Sequence, residues 1–519
     1  MVHTARAKSM KLSIAASLVA TAAAQNGTYD SSTIRWAPCP ADVAAPPTLC
    51  GELLVPLDYT NNESNETLTL QLAKVPATTQ PSRGSVLMNF GGPGNDGRTM
   101  LGQYAPFLPL GSGGEFDLIA VDPRGTGNTI PFSCYQNETL RRAGQATVRQ
   151  DWANSSDATP GRLWAEAQVL ANDCGNALAN TTGSLVGTAF TARDFMEVVD
   201  ALGEDGMLRY WGFSYGSYLG STLAAMFPDR IDRMVLDGIV NIHEWQSGIE
   251  VESVTDYDKT FKGFLDGCLT YPDNCALAHA SNGENVTAAA LESSIYDLLD
   301  RIKLAPFALG SSIIDYSALQ NLINAGLRQP PPGPSWPRSS TPSSAAPTWP
   351  GSGPSSRTRP WSTASAAATR PCAPRTPRPW PLQRRPRRPQ PPGRRPRRRH
   401  YDAVRALAHG GPRALRGRLP GIRTRHPILL IGNYADPVTP LASAKNASAS
   451  FEGSVVLEHK GFGHASIAQW STCTITAARK YLLTGVLPAP GTSCEVDQPA
   501  FAPLPGNGTA AAARRRALL

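Results

Sequence analysis

Beyond one short run at residues 12–24, the 519-residue chain has no apolar stretch that could span a membrane as a helix, which excludes a bundle of membrane-spanning helices. None of its nine cysteines shows zinc-site spacing with histidines, so no structural zinc site of that kind is expected. The glycine-rich segment Asn89-Phe90-Gly91-Gly92-Pro93-Gly94 is not followed by Gly-Lys-Ser/Thr, and it therefore fails as a phosphate loop. Lysine is missing altogether from residues 330–425, where the single acid is Asp402. The same block holds 21 arginines and 22 of the chain's 46 prolines, a composition that builds no packed core. Taking its net +20 from the formal +8 leaves −12 for the other 423 residues, so the chain's positive charge belongs to this block.

What is present reads as a secreted globular enzyme. Length and 41% apolar content allow a large core, enough for one catalytic domain with a sizeable insertion. His3, Arg6, Lys8 and Lys11 precede the apolar run, which ends in small residues; this is the layout of a secretory leader, with cleavage expected after Ala24 and no membrane association afterwards. Nine Asn-x-Ser/Thr sequons, at Asn26, Asn62, Asn65, Asn137, Asn154, Asn180, Asn285, Asn446 and Asn507, agree with that compartment. Eight cysteines fall into near pairs, and we expect disulfides Cys39 with Cys50, Cys134 with Cys174, Cys268 with Cys275, and Cys473 with Cys494.

Three readings of residues 330–425 compete. A nucleic-acid-binding tail would mix in lysines, aromatics and a folded reader, and no nucleic-acid partner is expected. A disordered linker would interrupt the chain where a folded lid belongs. GC-rich codons read out of frame give Arg, Pro, Ala, Gly and Ser, and we favour this reading. Helix-like sequence stops at Ala325-Gly326-Leu327-Arg328, strand-like sequence restarts abruptly at Pro427-Ile428-Leu429-Leu430-Ile431-Gly432, and the odd cysteine, Cys372, lies between.

In the rest of the chain, residues 52–59 and 67–77 read as strands of an antiparallel edge, whereas 85–90 and 116–121 are continuous apolar runs ending in Gly- or Pro-rich turns, as buried parallel strands are. Thr191-Ala192-Arg193-Asp194 resembles a capping box, predicting a helix over 192–202. A strand over 208–213 runs into Ser214, a helix over 218–226 follows, and further strands are expected at 233–239, 428–433 and 454–460. Residues 241–327 read as mostly helical. Alternating strands and helices predict an α/β fold, a mostly parallel doubly wound sheet with a helical lid insertion.

Gly212-Phe213-Ser214-Tyr215-Gly216 sits at the strand-to-helix turn that a nucleophile elbow requires, with small residues where the neighbours crowd the backbone. A serine hydroxyl is a feeble nucleophile at neutral pH and needs a base and an orienting acid. His464, in the Gly-rich loop after the last strand, is the best placed of the eight histidines; His459, inside that strand, is expected to be structural. Asp436, in Asn433-Tyr434-Ala435-Asp436-Pro437-Val438-Thr439-Pro440, is the chosen acid, which gives the order Ser, Asp, His. Oxyanion donors are assigned to the backbone of Gly92 and Tyr215. No metal or organic cofactor is implied.

At these residues the sequence resembles the secreted tripeptidyl aminopeptidases, relatives of proline iminopeptidase within the α/β-hydrolases. The matching stretches are Gly91-Gly92-Pro93-Gly94, Asp122-Pro123-Arg124-Gly125-Thr126-Gly127, Tyr210 through Gly216, Asp237-Gly238, Asp436-Pro437-Val438-Thr439-Pro440-Leu441 and Gly463-His464, over about 35–328 and 425–498. The likeness implies an α/β-hydrolase fold with a TAP-like C-terminal region, the triad Ser214, Asp436 and His464, and release of short peptides from substrates with a free N-terminus. Asp122 and Arg124 are expected to be scaffold. The sequence departs at Asn95-Asp96-Gly97, where the family has small residues, and residues 330–425 do not supply the second half of the lid, so no amine-binding residue is assigned. The expected division is a leader over 1–24, hydrolase domain over 25–240 and 426–500, lid over 241–328, the Pro/Arg block over 329–425 and a disordered tail over 501–519. Two rivals stand beside the peptidase: a carboxylesterase or lipase-like enzyme with the same triad, and a non-catalytic secreted protein whose lid cannot fold.

Overall fold

Every residue of the strand Ser85–Asn89 is buried, which is possible only if both faces of the sheet are covered. A computed structural model describes residues 33–61, 63–130, 134–135, 137–147, 151–178, 182–279, 286–330 and 421–502. The expected leader, the sequons at Asn26, Asn62, Asn180, Asn285 and Asn507, residues 331–420 of the Pro/Arg block and residues 503–519 of the expected tail lie outside them.

Twelve strands are described: β1 (Arg35–Pro38), β2 (Leu49–Pro56), β3 (Thr67–Val75), β4 (Ser85–Asn89), β5 (Asp117–Val121), β6 (Leu208–Phe213), β7 (Ile231–Asp237), β8 (Phe307–Leu309), β9 (Ser312–Ile314), β10 (Leu429–Ala435), β11 (Val455–Phe462) and β12 (Ser493–Cys494). Ten of them form one sheet in the order β1-β2-β3-β5-β4-β6-β7-β10-β11-β12. The β1, β2, β3 and β5 neighbours pair antiparallel and the remainder pair parallel. This is the α/β-hydrolase sheet that the sequence implied.

Side chains alternate between the two faces, so Leu87, Ile119 and Val121 join one core while Val86, Met88, Leu118 and Ala120 join the other. Helices Thr188–Ala201 and Tyr215–Met226 cover the first face, and Thr472–Thr484 covers the second.

The proposed capping box is corrected. The helix starts one turn earlier, at Thr188, with Gly187 as cap, so Thr191 lies inside it. Asp194 does not cap an amide, because the buried guanidinium of Arg124 takes its carboxylate at 2.6 and 2.7 Å. Arg124 also donates to the carbonyls of Leu57 and Leu185 at 2.8 and 3.0 Å, which is the scaffold role expected of it. Helix Tyr215–Met226 likewise begins directly after Ser214, three residues before the predicted start.

Four helices, Ile242–Ser247, Tyr257–Thr270, Ala288–Leu304 and Tyr316–Arg328, lie between β7 and β10 in the region expected to be the lid, with the hairpin β8–β9 as an element the sequence did not suggest. Phe261, Leu265, Leu291 and Leu327 give it a small core of its own. The chain is taken up again at Gly421, inside the suspect block: Ile422 bridges Phe451, and the Arg425 amide donates to Pro228 O at 2.9 Å. Disulfides join Cys39 to Cys50, Cys134 to Cys174, Cys268 to Cys275, and Cys473 to Cys494. The sequon asparagines among the described residues, Asn65, Asn137, Asn154 and Asn446, are all exposed.

Candidate active site

Ser214 holds φ 56° and ψ −124°, a backbone conformation rare for a residue with a side chain. The turn is enforced by close approach. A Cβ on Gly212 would lie 2.3 Å from Gly216 O, and one on Gly216 would lie 2.4 Å from Asn89 O. Only glycine fits at these two places, so β4, β6 and the helix behind Ser214 can meet there.

The loop after β4 lies against this turn. A Cβ on Gly91 would come within 2.8 Å of Ser214 Cβ and 3.1 Å of Tyr215 N. The Gly91 amide is engaged by Asn89 Oδ1 at 3.0 Å, which makes Gly92 the next amide along the loop. The segment Asn95-Asp96-Gly97 now has a physical reason. Asp96 caps helix Gly97–Tyr104 by accepting from Thr99 N at 3.0 Å, and a Cβ on Gly97 would strike Val121 O at 2.4 Å. Asp122 behind it accepts from the amide and Nε of Arg98, both at 3.0 Å, and burial pushes its carboxyl up to about 6.

At the ends of β10 and β11, the His464 Nδ1 lies 3.1 Å from both oxygens of Asp436. Asp436 is fully buried and accepts from the amides of Val438, Thr439 and Ala465 at 2.8 Å each. Burial drives its pKa upward, but His464 and these donors outweigh burial and hold it below the ordinary value. The Thr439 hydroxyl touches both partners, at 2.7 Å from Asp436 Oδ2 and 3.0 Å from His464 Nδ1. His459 instead lies wholly inside, with Nδ1 2.9 Å from Thr474 Oγ1, and burial lowers its pKa to about 4.

Three residues of this site escaped the sequence. Thr439 lies in the stretch around Asp436, yet nothing in the sequence marks its hydroxyl as the one bridging Asp436 and His464. Asn433 donates through Nδ2 to Gly463 O and Ala465 O at 2.9 and 2.8 Å, stitching β10 to the His464 loop. Asp237 ends the strand between those of Ser214 and Asp436; its carbonyl accepts from Ser214 N at 3.0 Å, while its carboxylate accepts from Ser466 N at 2.9 Å and Ser466 Oγ at 2.5 Å. The only signal for it was the dipeptide Asp237-Gly238.

Residues 85–303 match the family model described as alpha/beta hydrolase fold, and residues 410–494 match the model described as TAP-like protein. The chain is 32% identical over 248 residues to the serine protease Hip1 of Mycobacterium tuberculosis, covering 47% of this chain and 45% of that protein. It is 31% identical over 239 residues to the tripeptidyl aminopeptidase of Streptomyces coelicolor, covering 44% and 42%. It is 25% identical over 225 residues to carboxylesterase B of M. tuberculosis, covering 43% and 42%. Each match thus spans about half or less of the relative's length.

Proposed function

This chain belongs to the TAP-like α/β-hydrolases, and we propose that it is a secreted serine peptidase that releases short peptides from free N-termini through an acyl-enzyme on Ser214. The observation that carries this reading is the buried Asp436 carboxylate set against Nδ1 of His464. It fixes the imidazole so that Nε2 is left as the base for the serine proton. Ser214 attacks the carbonyl carbon; Gly92 and Tyr215 amides receive the oxyanion; His464 returns the proton to the leaving amine; water then repeats the sequence on the acyl-enzyme.

Peptide substrates and a free N-terminus come to this chain from the names of its relatives. The disulfides and exposed sequon asparagines support an oxidising, extracytoplasmic location. A second reading, ester hydrolysis, is favoured by the carboxylesterase relative, because triad and fold do not fix the leaving group.

The test uses the purified full chain, a fluorophosphonate probe, tripeptidyl arylamides with free and blocked N-termini, and simple esters. The peptidase reading expects labelling of Ser214 and cleavage of free but not blocked arylamides. Hydrolysis of esters alone would replace it with the esterase, and absence of labelling would leave the non-catalytic protein.

A further inference from the structure

Between His464 and Ser466 the chain passes through Ala465 at φ 60° and ψ 168°, a region that side chains avoid and glycine supplies. Such a conformation persists only when its surroundings over-determine it. Here the amides on both sides of the strained Cα are gripped by buried carboxylates. Ala465 N donates to Asp436 Oδ2 at 2.8 Å, and Ser466 N donates to Asp237 Oδ1 at 2.9 Å. The Ser466 hydroxyl adds a second bond to Asp237 at 2.5 Å. The Asp237 side chain is wholly buried and takes no part in the chemistry described above.

Asp237 also fixes the other partner of the reaction. It is the last residue of β7, in register with Phe213 on one side and Ile431 on the other, and its carbonyl accepts the amide of Ser214 at 3.0 Å. Gly238 follows at φ 61°, and a Cβ there would lie 2.8 Å from Ala465 Cβ, so the turn out of β7 is pressed against the strained residue. One residue thus holds the nucleophile through its backbone and the base's loop through its side chain.

We infer that Asp237 is a positioning residue for catalysis: with Ser466 it forms a bracket that keeps the His464 loop in its strained shape and sets the imidazole's distance from Ser214. The inference rests on Ser214 and His464 being nucleophile and base. Without the bracket, Ala465 relaxes toward an ordinary conformation and shifts the ring, while Asp436 and Thr439 on the ring and Asn433 on its loop are the contacts that remain. Small displacements of a catalytic group are costly, with about 1 Å worth on the order of 100-fold.

The experiment compares wild type, Asp237→Asn, Ser466→Ala and Ser466→Thr as full chains, each checked for folding by near-ultraviolet circular dichroism. Two quantities are read: the rate of Ser214 labelling by a fluorophosphonate, and the nitrogen NMR signals of the His464 ring, assigned with His464→Gln. A cavity of about 30 Å³ lies beside Ser466, and threonine keeps the hydroxyl that bonds to Asp237. We expect Asp237→Asn to slow labelling by about 10- to 100-fold and Ser466→Ala by about 3- to 10-fold, with Ser466→Thr near wild type. Ring signals should shift in the first two and not in the third. Wild-type labelling and ring signals in folded Asp237→Asn and Ser466→Ala would overturn the inference, as would equal slowing by alanine and threonine. If Asp237→Asn does not fold, the Ser466 pair decides. If the wild type itself does not label, the serine-hydrolase reading fails, and the ring signals still decide whether the bracket holds His464.

Discussion

Replacing His459 with glutamine should make the fold more resistant to acid while leaving hydrolysis at pH 7.5 intact. The ring is fully buried and its pKa is depressed from 6.5 to about 4, mainly by burial. Above pH 6.5 both folded and unfolded chains carry it neutral, and it costs nothing. As pH falls below 6.5 the unfolded chain takes up a proton that the folded chain refuses until about pH 4, so stability declines across that window. The full gap of 2.5 units is worth about 3.4 kcal/mol, of which about 2.5 is already lost at pH 4.5. Glutamine does not titrate, and it can still meet the Thr474 hydroxyl that His459 touches at 2.9 Å. The assay is urea denaturation of both proteins at half-unit intervals from pH 4 to 7.5. The two free-energy curves should converge by about 3 kcal/mol between pH 7.5 and 4, or cross. Parallel curves over the whole range would refute the reasoning.

Three other perturbations follow from the same contacts. Thr439→Val removes the hydroxyl that lies against both Asp436 and His464, and should lower kcat by roughly tenfold at unchanged KM, one charge-assisted hydrogen bond's worth; an unchanged kcat would show that the bridge is idle. Gly216→Ala drives a methyl to 2.4 Å from the Asn89 carbonyl and should destabilise the fold by about 2 kcal/mol or more and abolish probe labelling. Asp194→Ala leaves the guanidinium of Arg124 buried without its partner, and should cost about 3–5 kcal/mol in denaturation experiments. A cost below about 1 kcal/mol would mean that the carbonyls of Leu57 and Leu185 satisfy the arginine on their own.

The parts of this molecule that were legible in the sequence are those governed by local rules. Continuous apolar runs such as Ser85–Asn89 announce a strand covered on both faces. The glycines around Ser214 announce a turn without room for side chains. The near pairs of cysteines match the four disulfides. Helix starts were less legible, because tertiary demands override them: Asp194 looks like a cap until Arg124, 70 residues earlier, claims its carboxylate. Asp237 could not be read at all as a partner of Ser466, since the two are 229 residues apart and only the parallel pairing of β7 with β10 brings them together. The hairpin β8–β9 is short and exposed, so no periodic burial marks it in the sequence.

The pairing of β7 with β10 also orders events in time. Leu429 lies beside Val235, although residues 236–428, the Pro/Arg block among them, separate the two along the chain. Closing so long a loop is inexpensive at equilibrium, because each doubling of its length adds only about 0.6 kcal/mol. It is nonetheless slow, since distant strands must find each other after everything between them has been synthesised. The turn bearing Ser214 is therefore synthesised well before Asp436 and His464 can reach it. The side chains of Asp436 and His464 arrive with β10 and β11, the strands made after the long segment between residues 330 and 421.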